Sequence, residues 1–237
     1  MATLTDPPPV SPGPSSTELP PAFPSPARAW WLALRPRTLS VGAVPVVVGT
    51  AVALAEGRAR LLPALAALLG ALSLQVGSNL VNDYADFERG ADGEARLGPA
   101  RAASSGWFTP AQLRRGAALA LGCAAVVGLY LVAQGGIWIA AAGALALVAA
   151  WAYTAGPAPL GYRGFGDLLV FVFFGLFAVT GTHAVQAQAF SAAALGSAIP
   201  VGLMATAILA VNNLRDLEGD AAVGKRTVAV RLGAVLT

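Results

Sequence analysis

The sequence predicts an all-α, polytopic membrane protein of about six transmembrane helices. Two observations carry that prediction, and the placement of charge supports it. Charged residues make up only 11% of the 237 positions and hydrophobic ones 56%, with a mean hydropathy of +0.66. A soluble domain carries about 25% charged residues, so a soluble fold is disfavoured. The apolar residues also fall in blocks long enough to cross a hydrocarbon core of about 30 Å, which takes roughly 20 helical residues.

The first 27 residues are rich in Pro, Ser and Ala and lack hydrophobic periodicity, so a disordered tail is expected there. They have neither the basic start nor the apolar stretch of a signal peptide. The remainder, 28–237, is expected to form one membrane domain. Its spanning segments are placed at 38–55, 61–83, 112–132, 137–154, 166–187 and 193–215. Ala and Gly dominate several of them, and small residues let membrane helices approach closely. Pro45 and Pro200 fall inside segments, where neighbouring helices can satisfy the freed carbonyls. Trp30 and Trp31 are expected to anchor at the membrane interface. The single cysteine, Cys123, and the single histidine, His183, form no metal-ligand cluster and are expected to be structural.

Charge placement orders these segments. Thirteen of the 15 basic residues (Arg28, Arg35, Arg37, Arg89, Arg96, Arg101, Arg114, Arg115, Arg163, Arg215, Lys225, Arg226 and Arg231) fall on one side of a six-crossing topology. Only Arg58 and Arg60 fall on the other. The positive-inside rule then places the N-terminus in the cytoplasm. Nine of the 12 acids share that side, Glu94 and Asp167 among them.

These acids form two clusters. "NLVNDYADFERGAD" closes the second segment. If the helix runs to about residue 87, Asn79, Asp83 and Asp86 share one face. "NNLRDLEGDAAVGKRT" closes the sixth, and there Asn212, Asp216 and Asp220 are spaced four and four, with Gly224 expected to end the helix. Ionisable groups in membrane segments generally face a bundle interior and mark a functional path. Facing carboxylates repel unless a cation lies between them, and oxygen-only donors suit Mg²⁺. Two such clusters would clamp a diphosphate, with Arg and Lys nearby to neutralise the remaining charge. A diphosphate held at a membrane bundle suggests a lipid diphosphate substrate. Transporters tend to place their acids near the midplane, whereas these lie at helix ends.

The pattern Asn82-Asp83-x-x-Asp86 with a later Asp92, followed by Asp216-x-x-x-Asp220, resembles the two aspartate-rich motifs of the UbiA superfamily of intramembrane aromatic prenyltransferases. Within it, "RPRTLSVGAVPVVVGTA", "NDYADFERGAD", "YTAGPAPLGYRGFGD" and "NNLRDLEGDAAVGKRTVAVRLG" are most similar to the 1,4-dihydroxy-2-naphthoate polyprenyltransferases of menaquinone synthesis. The resemblance covers roughly residues 28–237. It implies helices around a central cavity and Mg²⁺-dependent transfer of a polyprenyl group to the naphthoate ring with loss of CO₂, giving demethylmenaquinone. By motif match, Asn82, Asp83 and Asp86 would serve one Mg²⁺. Asp216 and Asp220 would serve the other, supported by Asn212, with Asp92 outside the ligand set. Lys225 and Arg163 would contact diphosphate, and Asn79 would lie on the substrate side. Tyr153 would wall the cavity near the reacting carbon, and Arg35 and Arg37 could face substrate.

The implied partners are polyprenyl diphosphate, an aromatic acceptor and the lipid bilayer, with no nucleic acid. The implied location is a bacterial inner membrane, with the N-terminus and both motifs cytoplasmic. Members of the superfamily usually have nine transmembrane helices, so a chain with six is expected to be truncated at its C-terminus. Two alternatives stay open: another acceptor (4-hydroxybenzoate, homogentisate, haem or a tetrapyrrole), or an inactive membrane fragment.

Overall fold

A computed structural model describes residues 23–92 and 98–233. Most of the expected tail, together with Glu94, Arg96 and residues 234–237, lies outside the described residues. Within them the chain is helical, with no strand.

Helix α1 (Pro26–Ala33) meets α2 (Pro36–Ala55) at a sharp corner. Pro36 disfavours the right-handed helical region for the residue before it, and Arg35 takes a left-handed conformation with φ 55°. Helix α3 (Leu61–Glu88) pins this corner. Its Asn79 side chain donates to the Leu34 carbonyl at 3.1 Å and to Thr38 Oγ1 at 3.0 Å.

With 28 residues, α3 is about 42 Å long. That exceeds the hydrocarbon core of about 30 Å, so its last turns reach past the apolar layer. The first acidic cluster lies on those turns. Helix α4 (Pro110–Gly135) starts from a capping box between Thr109 and Gln112 and runs back along α3. A Cβ on Gly77 would lie 2.5 Å from the Leu121 side chain, so glycine leaves room for that side chain between the two helices. Gly136, at φ 75°, then turns the chain directly into α5 (Ile137–Ala152).

The fifth span, Gly166–Ala187, comprises α6 (Gly166–Val170), a π segment (Phe171–Phe177) and α7 (Ala178–Ala187). Leu169, Phe173, Phe177, Gly181 and Val185 all line one cavity. A stripe at every fourth residue drifts about 40° per step around an α-helix. The wider π turn opposes that drift and keeps the stripe aimed inward. Helix α8 (Ala192–Arg215) packs on the π segment. It is followed by the short helices α9 (Leu217–Ala222) and α10 (Val228–Leu232).

The six expected spans are therefore present, with no end moved by more than five residues. Five are long and apolar enough to cross a membrane, and α5 is shorter, with 16 residues. Large apolar side chains such as Leu119, Leu129, Ile137 and Met204 are exposed, as lipid contact requires. Cys123 is also exposed, whereas His183 is buried. Trp30 stacks on Phe108 with ring centroids 4.2 Å apart, and Trp31 is exposed.

The buried core lies at the charged end, where Leu80, Val81 and Tyr84 of α3 meet Ala33, Leu113 and the α3–α4 connection. The opposite end is tied by polar contacts. His183 Nε2 lies 2.8 Å from Glu56 Oε2, and Ser191 donates to Glu56 Oε1 at 2.5 Å.

The α8 contact with the π segment is a test of this packing. A Cβ on Gly175 would fall 2.6 Å from the Cα of Gly202, while one on Gly196 meets nothing within 4 Å. Gly175→Val should destabilise the fold by about 1–3 kcal/mol. Gly196→Ala should leave it nearly unchanged. Thermal melts of the two variants in one detergent test the contrast.

Candidate active site

A cavity of about 990 Å³ runs through the bundle. Its lining extends along α3 from Asp86 to Ala67, which is 19 residues, or about 28 Å of helix. Most of its wall is aliphatic or aromatic, with Leu131, Val132, Leu147, Phe173, Phe174 and Phe177 prominent. Its polar end collects Asn79, Asn82 and Asp86 from α3, and Asn212, Asn213, Arg215 and Asp216 from the end of α8. Arg35, Arg37, Arg101, Tyr153 and Lys225 also line it.

The side chains of the first cluster divide their tasks. Asp86 is 4% exposed and accepts from Arg101 Nη2 at 3.0 Å and from the Tyr162 hydroxyl at 2.8 Å. Asn82 accepts from the Thr154 hydroxyl. Asp83 is not among the cavity-lining residues. It is 1% exposed, and its two oxygens accept the backbone amides of Ala102 and Ala103, each at 3.0 Å. The cavity-facing stripe is thus Gln75, Asn79, Asn82 and Asp86, at offsets of four, three and four. Asp83 is about 100° of helix away from Asn82. Arg101 also ion-pairs Asp92 at 3.3 Å, so one buried guanidinium serves two acids of the motif.

The second cluster lies on a broken helix. The break falls at Asp216, with φ −94° and ψ 9°. Gly224, in the left-handed region at φ 73°, follows the end of α9. Arg215 grips the Asp216 carboxylate with two donors, at 2.8 and 2.7 Å, and donates to Asn212 at 3.1 Å. Asp220 is buried behind the cavity wall and pairs with Lys225 at 3.1 Å. Its Oδ2 has no hydrogen-bond partner among the described residues. Burial pushes its carboxyl above the usual range, and Lys225 acts against that shift.

Two residues differ from expectation in a useful way. Tyr162, not singled out in the sequence, is the link between clusters. Its hydroxyl holds Asp86, and its ring lies 5.5 Å from Lys225 Nζ. Its sequence signal was only a tyrosine between Gly161 and Arg163. Arg163 does not join the main cavity. It lines a separate hollow with Arg226 and Arg231, and its carbonyl accepts from Arg231. Tyr153 does line the main cavity, above Gly166. Burial and Asp86 raise the Tyr162 hydroxyl above the usual phenol range, so it stays protonated as the donor to Asp86.

Comparison with known proteins fits this geometry. The profile of the UbiA prenyltransferase family matches residues 43–237. The chain belongs to that family. It is 41% identical to the 1,4-dihydroxy-2-naphthoate octaprenyltransferase of Escherichia coli strain K12, over 88% of this chain and 70% of that protein. It is 42% identical to the Mycobacterium tuberculosis protein of the same name, over 88% and 71%. A UbiA prenyltransferase domain-containing protein 1 from Danio rerio is 34% identical, over 88% and 62%. The fold resembles a solved structure of a digeranylgeranylglyceryl phosphate synthase in membranes, with a TM-score of 0.57 and 14% identity, over 88% of this chain and 70% of that one. As a UbiA member with curated prenyltransferase relatives, this chain is a multi-pass membrane prenyltransferase.

The divided tasks of Asp83 and Asp86 predict different phenotypes. Asp83→Asn leaves an amide where a carboxylate accepts two backbone N–H groups, and should lower stability by about 2–3 kcal/mol. Asp86→Asn keeps one oxygen for Arg101, and its amide nitrogen can donate to the Tyr162 hydroxyl, which can accept where a backbone N–H cannot, so it should melt closer to the parent. Equal melting temperatures for the two variants would contradict the assignment of the loop clamp to Asp83.

Proposed function

We propose that this chain transfers a polyprenyl group from polyprenyl diphosphate to 1,4-dihydroxy-2-naphthoate, with loss of the ring carboxylate as CO₂, giving the prenylated 1,4-diol, which is the quinol form of demethylmenaquinone. The observation that carries this reading is a long apolar cavity ending between Asn82 and Asp86 on one side and Asp216 and Lys225 on the other. A lipid tail fits the apolar length, and a diphosphate fits the charged end. Identity of about 40% to naphthoate octaprenyltransferases supports the acceptor.

In this reading the bond between the allylic carbon and the diphosphate oxygen breaks, and the electron pair leaves with diphosphate. The ring carbon bearing the carboxylate forms the new carbon–carbon bond. CO₂ departs and returns its electron pair to the ring. Lys225, Arg35 and Arg37 line the cavity where they would neutralise the phosphate oxygens. Phe173, Phe174 and Phe177 line the cavity further from the charged end, where they would pack on the lipid tail, and the filled apolar wall would keep water from the positive charge developing on the allylic carbon. Tyr153 would bound the space between the two reactants. Asp83 would act through the loop it holds.

Mg²⁺ is the cofactor we infer. Among the described residues no three His, Cys, Asp or Glu side chains form a ready metal cage. Mg²⁺ at a phosphate needs only one or two carboxylates, completed by water and substrate oxygens. The donors here are oxygen-only, and Asp220 keeps a buried oxygen without a partner. Asn82 and Asp86 would hold one ion, and Asp216 and Asp220 the other. Bound there, the ions would supply Lewis-acid stabilisation of the departing diphosphate. The distribution of arginines supports placing this end in the cytoplasm, at a bacterial inner membrane.

The test is transfer of labelled octaprenyl diphosphate to 1,4-dihydroxy-2-naphthoate by membranes containing the chain. Product should form with Mg²⁺ and be lost with chelator, and Asp86→Ala should reduce it by about a hundredfold or more. Transfer to 4-hydroxybenzoate in place of the naphthoate would refute the acceptor. Product unaffected by chelator would refute the metal.

A further inference from the structure

Two glycines in the cavity wall have no packing reason to be glycine. Gly128 in α4 and Gly143 in α5 both line the cavity, and an added Cβ at either meets no atom within 4 Å. Each departs from the pattern of Gly49, Gly77 and Gly175, where a Cβ would strike a neighbouring helix at 2.5–2.6 Å. Glycine inside a helix costs about 1 kcal/mol relative to alanine. At Gly128 and Gly143 the helix incurs that cost without gaining a closer helix contact. What the glycines do provide is cavity width.

Their depths differ. Gly143 precedes Tyr153 by ten residues, which is about 15 Å from the polar end. Gly70 precedes Asp86 by 16 residues, or about 24 Å, and a Cβ on it would touch Val127 and Leu131 at 3.6 and 3.8 Å. Gly128 therefore lies near that deeper level. Beyond it the lining reaches Ile139, Thr182 and Val185. Next to them lies Gln186, which is 1% exposed. Gln186 donates to Thr50 and to the Thr182 carbonyl, both at 3.0 Å, and accepts from the Arg60 amide at 3.3 Å. An apolar tail pushing further would have to break those buried hydrogen bonds.

We propose that Gly143 and Gly128 are specificity-determining residues for prenyl chain length, one at middle depth and one deep, with the Gln186 network as the end stop. This rests on the prenyl-transfer reading above, and concerns how long a tail the cavity admits.

The experiment compares Gly143→Leu, Gly128→Leu and Gly122→Leu. Gly122 lies on the same helix as Gly128 and is equally open, with no atom within 4 Å of an added Cβ, but it does not line the cavity. Purified protein is tested for retention of labelled geranyl, farnesyl, geranylgeranyl and octaprenyl diphosphates, and then for kcat/KM with each. Gly143→Leu should lower the octaprenyl-to-geranyl ratio by more than about tenfold, the scale at which a pocket rejects surplus carbon. Gly128→Leu should lower it less, sparing the mid-length substrates, and Gly122→Leu should not change it. Equal losses for all four lipids, or the same change in Gly122→Leu, would overturn the proposal. Retention needs no acceptor. A shifted retention ratio without turnover would therefore uphold the ruler and count against the naphthoate reading alone.

Discussion

Carboxylates buried where a membrane helix ends must be compensated, and the charged end of this protein is organised around that requirement. Removing an ion from water costs several kcal/mol even after relaxation. Asp83, Asp86 and Asp92 are all buried on or just after α3. The connection to α4 supplies what they need, with two backbone amides for Asp83 and the Arg101 guanidinium for Asp86 and Asp92. Residues 101–103 are drawn against the helix as a result, and Trp107, Phe108 and Leu113 follow them into the core. The start of α4 is therefore set by electrostatics first and by apolar packing second. One buried Arg shared by two acids also leaves the motif less negative than its sequence suggests, which lets Asp86 face the cavity at an acceptable cost.

Glycine has two opposite uses in the bundle. At Gly49 and Gly175 it lets helix backbones meet, which is where packing has to replace the hydrophobic effect between membrane helices. At Gly128 and Gly143 it leaves room. The two uses look identical in the sequence, because both are small residues in apolar segments. Only the neighbour across the gap distinguishes them.

This difference marks how much was legible beforehand. The spans were readable because length and apolarity are fixed by the bilayer, and the sidedness of charge because loops alternate. That the oxygen-rich ends of α3 and α8 meet at one end of a cavity was readable from the repeated Asn-plus-Asp spacing. The assignment of Asp83 to the cavity face was less secure, since Asn82 and Asp83 are adjacent and cannot share a face, and the motif alone does not say which one turns inward. The π segment carries no distinct composition signal, since "FVFFGLF" would also suit an α-helix. It forms where Gly175 and Gly202 cross, a tertiary event. Tyr162 went unnoticed because its role depends on a loop folding back over α3, and the same loop sets Arg163 in the hollow beside the main cavity.

The two ends of the cavity differ in a way that gives it direction. At the far end the polar groups are largely consumed by one another. Gln186 has three partners, Glu56 is held by His183 and Ser191, and Arg60 reaches Gln134. Such an end can close a space but has little left to bind a charged group. At the near end, Lys225, Arg35, Arg37 and the amides of Asn82, Asn212 and Asn213 line the opening itself. An amphiphile with an anionic head and a long apolar tail can satisfy both ends in one orientation only. Reversing it would bury the head against aliphatic walls and a hydrogen-bonded stop. Orientation therefore follows from the cationic residues that line one end of the cavity and not the other, before any specific contact with the reacting carbon is made.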